Sequence, residues 1–211
     1  MLFRSRMSCW AIIPVKSLSL GKSRLAGILG AEQRAALNRR LFGRVLEAAQ
    51  SAFRADRIAV ITGDAFLLAL VRGQGLHGLQ DEAGGLNAAL SLGCRFALQR
   101  GARAVLVLSS DLPTVTPGDV AALAGALGEA PSCVIAPDEQ EQGTNALALS
   151  PPNPEFFRFG PDSFQAHLDV AKTRHMAIRI LRRPGLANDL DTPEAYRRFA
   201  KEQLTPSGVP A

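Results

Sequence analysis

The chain has 211 residues, 47% apolar and 20% charged, and 24 Lys and Arg against 19 Asp and Glu leave a formal charge of +5. That apolar share excludes a disordered chain, and the Gly and Cys content excludes collagen-like and disulfide-scaffold classes. No apolar run approaches the ~18 residues a membrane span needs, and a single domain is expected at this length.

From the N-terminus, Arg4 and Arg6 precede the apolar run Cys9–Val15 and mimic a signal peptide. Pro14-Val-Lys16 interrupts the run and no small-residue cleavage site follows, so a cytoplasmic protein is expected. Residues 1–8 read as an extension, with Met7 an alternative start, 9–203 as the domain and 204–211 as a frayed tail.

Cys9–Val15 reads as a buried strand. Ala31–Ala52 has a helical stripe of Leu37, Leu41, Val45 and Ala49, widened by Phe42 and Leu46. Strands are predicted over Arg57–Thr62, Leu76–Gln80, Ala102–Leu108, Ser132–Ala136, Ala146–Leu149 and Met176–Leu181. Helices are predicted from an Asp64 cap through Val71, then over Leu86–Gln99, Asp119–Leu127, Phe164–Thr173 and Pro193–Glu202. In Leu86–Gln99, Leu90, Cys94, Ala97 and Leu98 are expected to face inward.

Strands that are continuous apolar runs, alternating with helices, imply an α/β fold: a mostly parallel sheet covered by helices on both faces. Ligands of such a fold bind outside the carboxyl ends of the strands. The segments to examine are therefore Lys16–Arg24, Gly63-Asp64, Asp81–Asn87, Ser109–Pro113, Pro137–Thr144 and Asn188–Asp191.

Two motifs mislead. Gly73-Gln-Gly75-Leu-His-Gly78 has dinucleotide-binding spacing but follows a helix, so it reads as a helix stop and turn. Gly21-Lys22-Ser23 resembles the end of a phosphate-binding P-loop, but the required earlier glycine position holds Lys16. Cys9, Cys94 and Cys133 lie far apart with no ligand-spaced His, and read as small hydrophobes in a reducing compartment. His77, His167 and His175 stand alone and read as surface or core residues, and Trp10, Phe156, Phe157 and Phe159 as core packing.

Only four of the 24 cations are lysines, and Lys16 and Lys22 share one loop with Arg24. Cations at a strand's carboxyl end suit a triphosphate. Asp111 follows the most hydrophobic strand, and Asp189 and Asp191 are spaced to point the same way in extended chain. Three carboxylates from two distant segments can hold Mg²⁺, which takes a few carboxylates plus substrate phosphates. The competing role for Asp191, or for Thr192, is to cap the helix at Pro193. Cations for a triphosphate, aspartates for a metal and no nucleophile set describe nucleotidyl transfer, which needs little covalent help from protein.

Five segments in order carry a resemblance: Ile13-Pro14-Val-Lys16 with Lys22-Ser-Arg24-Leu, Gly85-Leu-Asn87, Ser110-Asp111-Leu-Pro113, Gly143-Thr144-Asn145, and Asn188-Asp189-Leu-Asp191-Thr-Pro193. Over residues 9–200 the chain resembles the 2-phospho-L-lactate guanylyltransferase family, which includes the phosphoenolpyruvate and 3-phospho-D-glycerate guanylyltransferases. The resemblance implies a single-domain Rossmann-like nucleotidyltransferase fold. It implies that GMP passes from GTP to the phosphate of a three-carbon acid, pyrophosphate leaving, in deazaflavin coenzyme biosynthesis. By the same resemblance, Lys16, Lys22 and Arg24 serve catalysis, and Pro14, Gly84, Gly85 and Asn87 bind the nucleotide. Thr144, Gly160 and Ser163 bind the phospho-acid, and Asp111, Asp189 and Asp191 hold Mg²⁺.

Two other readings compete. A molybdenum-cofactor guanylyltransferase would share the fold, but its first loop is richer in Gly than Lys16–Arg24. The arginines Arg179, Arg182, Arg183, Arg197 and Arg198 could form a nucleic-acid patch. A charge of +5 and one Trp and one Tyr offer little for that, so neither nucleic acid nor membrane is the expected partner.

Overall fold

The structure is a computed structural model that describes residues 8–18, 21–82 and 84–204. The expected N-terminal extension through Met7 and the tail from residue 205 onward lie outside the described residues. Among the described residues, seven strands form one sheet: β1 Cys9–Pro14, β2 Ile58–Thr62, β3 His77–Gln80, β4 Ala104–Leu108, β5 Ser132–Pro137, β6 Thr144–Ser150 and β7 Ala177–Ile180. The helices are α1 Ala31–Ala52, α2 Ala65–Gly73, α3 Leu86–Gln99, α4 Pro117–Gly125, α5 Ser163–Thr173, the single turn α6 Pro184–Ala187, and α7 Pro193–Leu204.

The strand order is β3-β2-β1-β4-β6-β5-β7. β1 pairs in parallel with β2 and β4, β2 with β3, and β5 with β7. β6 runs antiparallel to both β4 and β5. The expected mostly parallel single-domain α/β sheet is present.

Alternation across the sheet builds two cores. Ala11 and Ile13 of β1 pack with Val45 and Leu46 of α1, Leu67 and Val71 of α2 and Leu123 of α4. Trp10 and Ile12 face the other way, onto Leu90, Cys94 and Ala97 of α3 and Phe164 of α5. Phe156 and Phe157 complete that second core, as expected, and Trp10 stacks on His77 at 5.3 Å. Leu98 departs from expectation: it is exposed, because the α3 stripe that meets the sheet stops at Ala97. Cys94 and Cys133 are buried and Cys9 half-buried; all three are free, and burial pushes each thiol up to about 12.

A smaller third cluster matters more for the site. Leu25 and Leu29, just past the lysine-bearing loop, pack with Leu41 of α1, and with Leu190 and Phe199 near the C-terminus. Apolar burial at Leu25 and Leu190 therefore draws the Lys22 loop against the Asp189–Asp191 segment.

Local caps agree with the side chains present. Asp64 accepts from the Phe66 and Leu67 backbone N–H groups at 3.0 and 3.1 Å and starts α2, as expected. α2 ends at Gly73, and the Gly75 turn leads into β3, so the GxGxxG-like stretch is a helix stop. α4 starts two residues earlier than expected. Thr116 is its cap, and the Asp119 carboxylate accepts from the Thr116 N–H and hydroxyl.

Asp119 is buried and also accepts from the Arg183 guanidinium at 2.6 Å. Burial opposes its charge, but the Thr116 and Arg183 bonds outweigh it and hold its carboxyl below the usual range. A Cβ on Gly185 would clash with the Asp119 carboxylate. Gly185→Ala is therefore expected to destabilise the protein by about 1–3 kcal/mol through overpacking, seen as a lowered urea midpoint at unchanged slope. Three other arginines of that patch are engaged too. Arg182 pairs with Glu141, Arg197 with Glu194, and Arg198 with Glu139.

Candidate active site

A cleft of about 860 Å³ opens at the carboxyl ends of β1 and β4. Pro14, Lys16, Lys22, Arg24, Gly85, Asp111, Thr144, Gly160, Ser163, Asp189 and Asp191 all line it. Eleven of the thirteen residues singled out from sequence thus converge on one cleft; Gly84 and Asn87 do not line it.

The carboxylates of Asp111, Asp189 and Asp191 each place an oxygen within 4.8 Å of the others. Asp111 lies just past β4, whose fully buried run carries the chain to the sheet edge. Asp191 is free for the site because Thr192 does the capping, its hydroxyl accepting from the Ala195 N–H at 3.2 Å. The set is all oxygen and negatively charged, from more than one segment, and fits a hard divalent cation that keeps further positions for water or phosphate.

Lys22 sits in the middle of this set. Its ammonium donates to Asp111 Oδ2 and to Asp191 Oδ1, both at 2.6 Å, and its side chain is 4% exposed. Burial opposes its charge, but Asp111 and Asp191 outweigh burial and hold it above its ordinary pKa. From sequence, Lys22 is expected on phosphates; the structure places it as the counter-ion of the carboxylates. Its backbone is left-handed, φ 60°, a conformation that costs a non-glycine residue energy and that recurs at functional sites. Lys16 and Arg24 are exposed at the cleft wall.

Burial, together with the Asp111 and Asp191 charges, pushes the Asp189 carboxyl up to about 6. Two positive-φ glycines bound the cleft: Gly85, φ 80°, opens α3, and Gly160, φ 143°, precedes α5. Neither site tolerates a Cβ without strain, and both bring backbone to the cleft wall.

The Asn87 side chain, close to the cleft-lining Gly85, holds a loop in place. Its amide donates to the Phe159 carbonyl at 2.9 Å, and its oxygen accepts from the Phe159 N–H at 2.8 Å. It clamps the 156–162 loop onto α3, 72 residues away in sequence.

Ser163 is the first residue of α5. Its Oγ accepts from the Thr144 N–H at 2.9 Å, and Asp162 stands at the cap position. Behind both lies His167, which has no exposed surface. Its Nδ1 is 3.0 Å from Thr144 Oγ1, and its Nε2 accepts from the Arg158 N–H at 3.0 Å. Asp138 and Gln142 also line the cleft; Asp138 braces the loop by accepting from the Gln142 and Gly143 N–H groups. They lie inside the Pro137–Thr144 segment marked from sequence, but no spacing singled them out.

Burial and the nearby Arg158 charge push the His167 imidazole down to about 4. Unfolded, the ring titrates near about 6.5, so between these values only the unfolded chain binds the proton. Its contribution to stability is full above 6.5 and is lost as pH falls towards 4. Asp189 has the opposite sign: its raised pKa makes the folded chain hold the extra proton, so its contribution falls as pH rises from about 4 to 6. Comparing two proteins that both keep Asp189 cancels its effect. The stability gap between the protein and His167→Phe is expected to shrink by about 3 kcal/mol from pH 7 to pH 4, measured by urea unfolding. A gap independent of pH would contradict the buried neutral ring.

The family model described as "Guanylyl transferase CofC like" matches residues 9–198. The phosphoenolpyruvate guanylyltransferase of Rubrobacter xylanophilus is 45% identical over 193 residues, covering 92% of this chain and 94% of that protein. The 3-phospho-D-glycerate guanylyltransferase of Colwellia psychrerythraea is 30% identical over 189 residues, covering 90% of each. Among solved structures, a nucleotidyl transferase from Methanothermobacter thermautotroptrophicus superposes with a TM-score of 0.66 at 17% identity, covering 95% of this chain and 99% of that one. Among the described residues, no helix is long and apolar enough to cross a membrane.

Proposed function

The chain belongs to the guanylyl transferase CofC-like family, and from that membership we propose that it joins GMP from GTP to the phosphate of phosphoenolpyruvate, releasing pyrophosphate. The observation that carries this reading is one cleft lined by a carboxylate triad, by Lys16, Lys22 and Arg24, and by Thr144, Gly160 and Ser163. The phosphate oxygen of the acid attacks the α-phosphorus of GTP, and the bond to the β-phosphate breaks.

Asp111, Asp189 and Asp191 would hold Mg²⁺, which when bound neutralises the triphosphate and orients it for in-line attack. Lys16 and Arg24 are placed to bind phosphate oxygens as charge builds on the departing pyrophosphate. Lys22, held by Asp111 and Asp191 at the cleft, would be the further cation offered to phosphate oxygens. Pro14 and Gly85 form the wall offered to the nucleotide, while Thr144, Gly160 and Ser163 offer polar groups to the acid. Phosphoenolpyruvate is preferred over 2-phospho-L-lactate and 3-phospho-D-glycerate because the 45% identical relative bears that name. The fitting metabolic place is an early step in deazaflavin coenzyme assembly, in the cytoplasm.

The test gives the purified protein GTP, Mg²⁺ and each of the three acids singly, following pyrophosphate and identifying products by mass. The expected product is GMP joined through a diphosphate to enolpyruvate. No pyrophosphate with any acid would overturn the reading, and a faster reaction with another acid would replace the substrate.

A further inference from the structure

The direction of the hydrogen bonds behind Thr144 and Ser163 can be deduced without seeing a hydrogen. The Arg158 backbone N–H can only donate, and it meets His167 Nε2 at 3.0 Å. Nε2 therefore carries a lone pair. A ring held neutral by burial has one proton, and that proton must then be on Nδ1. Nδ1 faces Thr144 Oγ1 at 3.0 Å. Thr144 Oγ1 cannot donate to a nitrogen that already bears hydrogen, so the Thr144 hydroxyl keeps its own proton for another acceptor.

Ser163 obeys the same logic. Its Oγ accepts from the Thr144 N–H, which leaves its proton to be donated elsewhere. Both residues are almost fully buried and both line the cleft. The ring is locked in place, stacked on Phe156 at 5.8 Å and met edge-on by Phe159 at 4.7 Å.

We propose that His167 is a positioning residue of the phospho-acid subsite: through its Nδ1–H it sets the Thr144 hydroxyl as a donor towards the cleft, beside the Ser163 hydroxyl. A pair of hydroxyl donors selects an oxygen that only accepts, a carboxylate or phosphate oxygen. The proposal rests on the phospho-acid reading of this cleft.

The tautomer can be read in the unaltered protein. A proton–nitrogen correlation spectrum of histidine-labelled protein is expected to show one ring protonated at Nδ1 and unresponsive to pH near neutrality. An Nε2–H ring or an imidazolium at His167 would overturn the proposal even if no variant folds. Kinetics supply the second arm. His167→Phe keeps the aromatic stack but removes both nitrogens. It is expected to raise the KM for phosphoenolpyruvate about tenfold or more, with the KM for GTP within about twofold, as for loss of a hydrogen bond to a charged group. His167→Asn can restore a donor near the Nδ1 position and is expected to recover most of that loss. Equal effects on both substrates, no effect on either, or no difference between Phe and Asn would overturn the proposal. A wild-type protein silent with every phospho-acid would instead overturn the functional reading, and the subsite role with it.

Discussion

Asp111→Asn is expected to lower guanylyl transfer by about 10²–10³-fold while the protein stays folded, the scale seen when one electrostatic partner of a transition state is removed. Asn has the shape of Asp and can still accept a hydrogen bond from Lys22. It lacks the charge that draws a divalent cation. Asp111 is also the bridge between the β4 end and the Asp189–Asp191 segment, because Lys22 joins it to Asp191 at 2.6 Å on each side. Loss of that charge removes a repulsion from Asp189 and lets its carboxyl fall from about 6. The variant should therefore bind Mn²⁺ more weakly at pH 7, measured by electron paramagnetic resonance, with a melting curve close to that of the parent. Turnover near the parent value with unchanged Mn²⁺ affinity would remove Asp111 from the metal site.

Much of this site is visible in the sequence because β-sheet logic is local. A continuous apolar run such as Ala104–Leu108 identifies a buried strand, and Asp111 just beyond it falls at the ligand edge whatever the partners are. The α1 and α3 boundaries are legible for the same reason, from a 3.6-residue stripe. The antiparallel run of β6 is not legible: Ala146–Leu149 is apolar throughout, and burial on both faces erases any alternation that marks direction. The single turn α6 is too short for a periodic signal.

Partners distant in sequence are hidden in another way. Asn87 looks like a nucleotide ligand beside Gly85, yet its amide is spent on Phe159. His167 looks solitary, yet it touches Thr144 and the Arg158 backbone. Lys22 looks like a phosphate cation, but its nearest groups lie 89 and 169 residues away. In each case residue type announces the chemistry available, and only the packing of the 156–162 loop or of Leu25 against Leu190 decides which group receives it.

Lys22→Met is the sharper test of what that loop does. Met keeps much of the apolar stem but removes the ammonium that neutralises Asp111 and Asp191. In metal-free buffer the half-buried carboxylates are then left close together without their counter-charge, and their mutual repulsion destabilises the fold. The variant is expected to melt lower than the parent without metal, and to gain more on adding Mg²⁺, because the ion no longer competes with a tethered ammonium for the same oxygens. Mn²⁺ affinity should rise for the same reason. Transfer should nonetheless fall by about 10²-fold or more, because the phosphates lose a positioned cation. Lys201→Ala, on α7, should leave both readouts near the parent. Tighter metal binding combined with slower transfer would separate two roles: counter-ion of the metal-free carboxylates, and cation for the bound triphosphate. If Lys22→Met binds metal no better and transfers at the parent rate, the 2.6 Å contacts are a structural ion pair and the loop takes no part in chemistry.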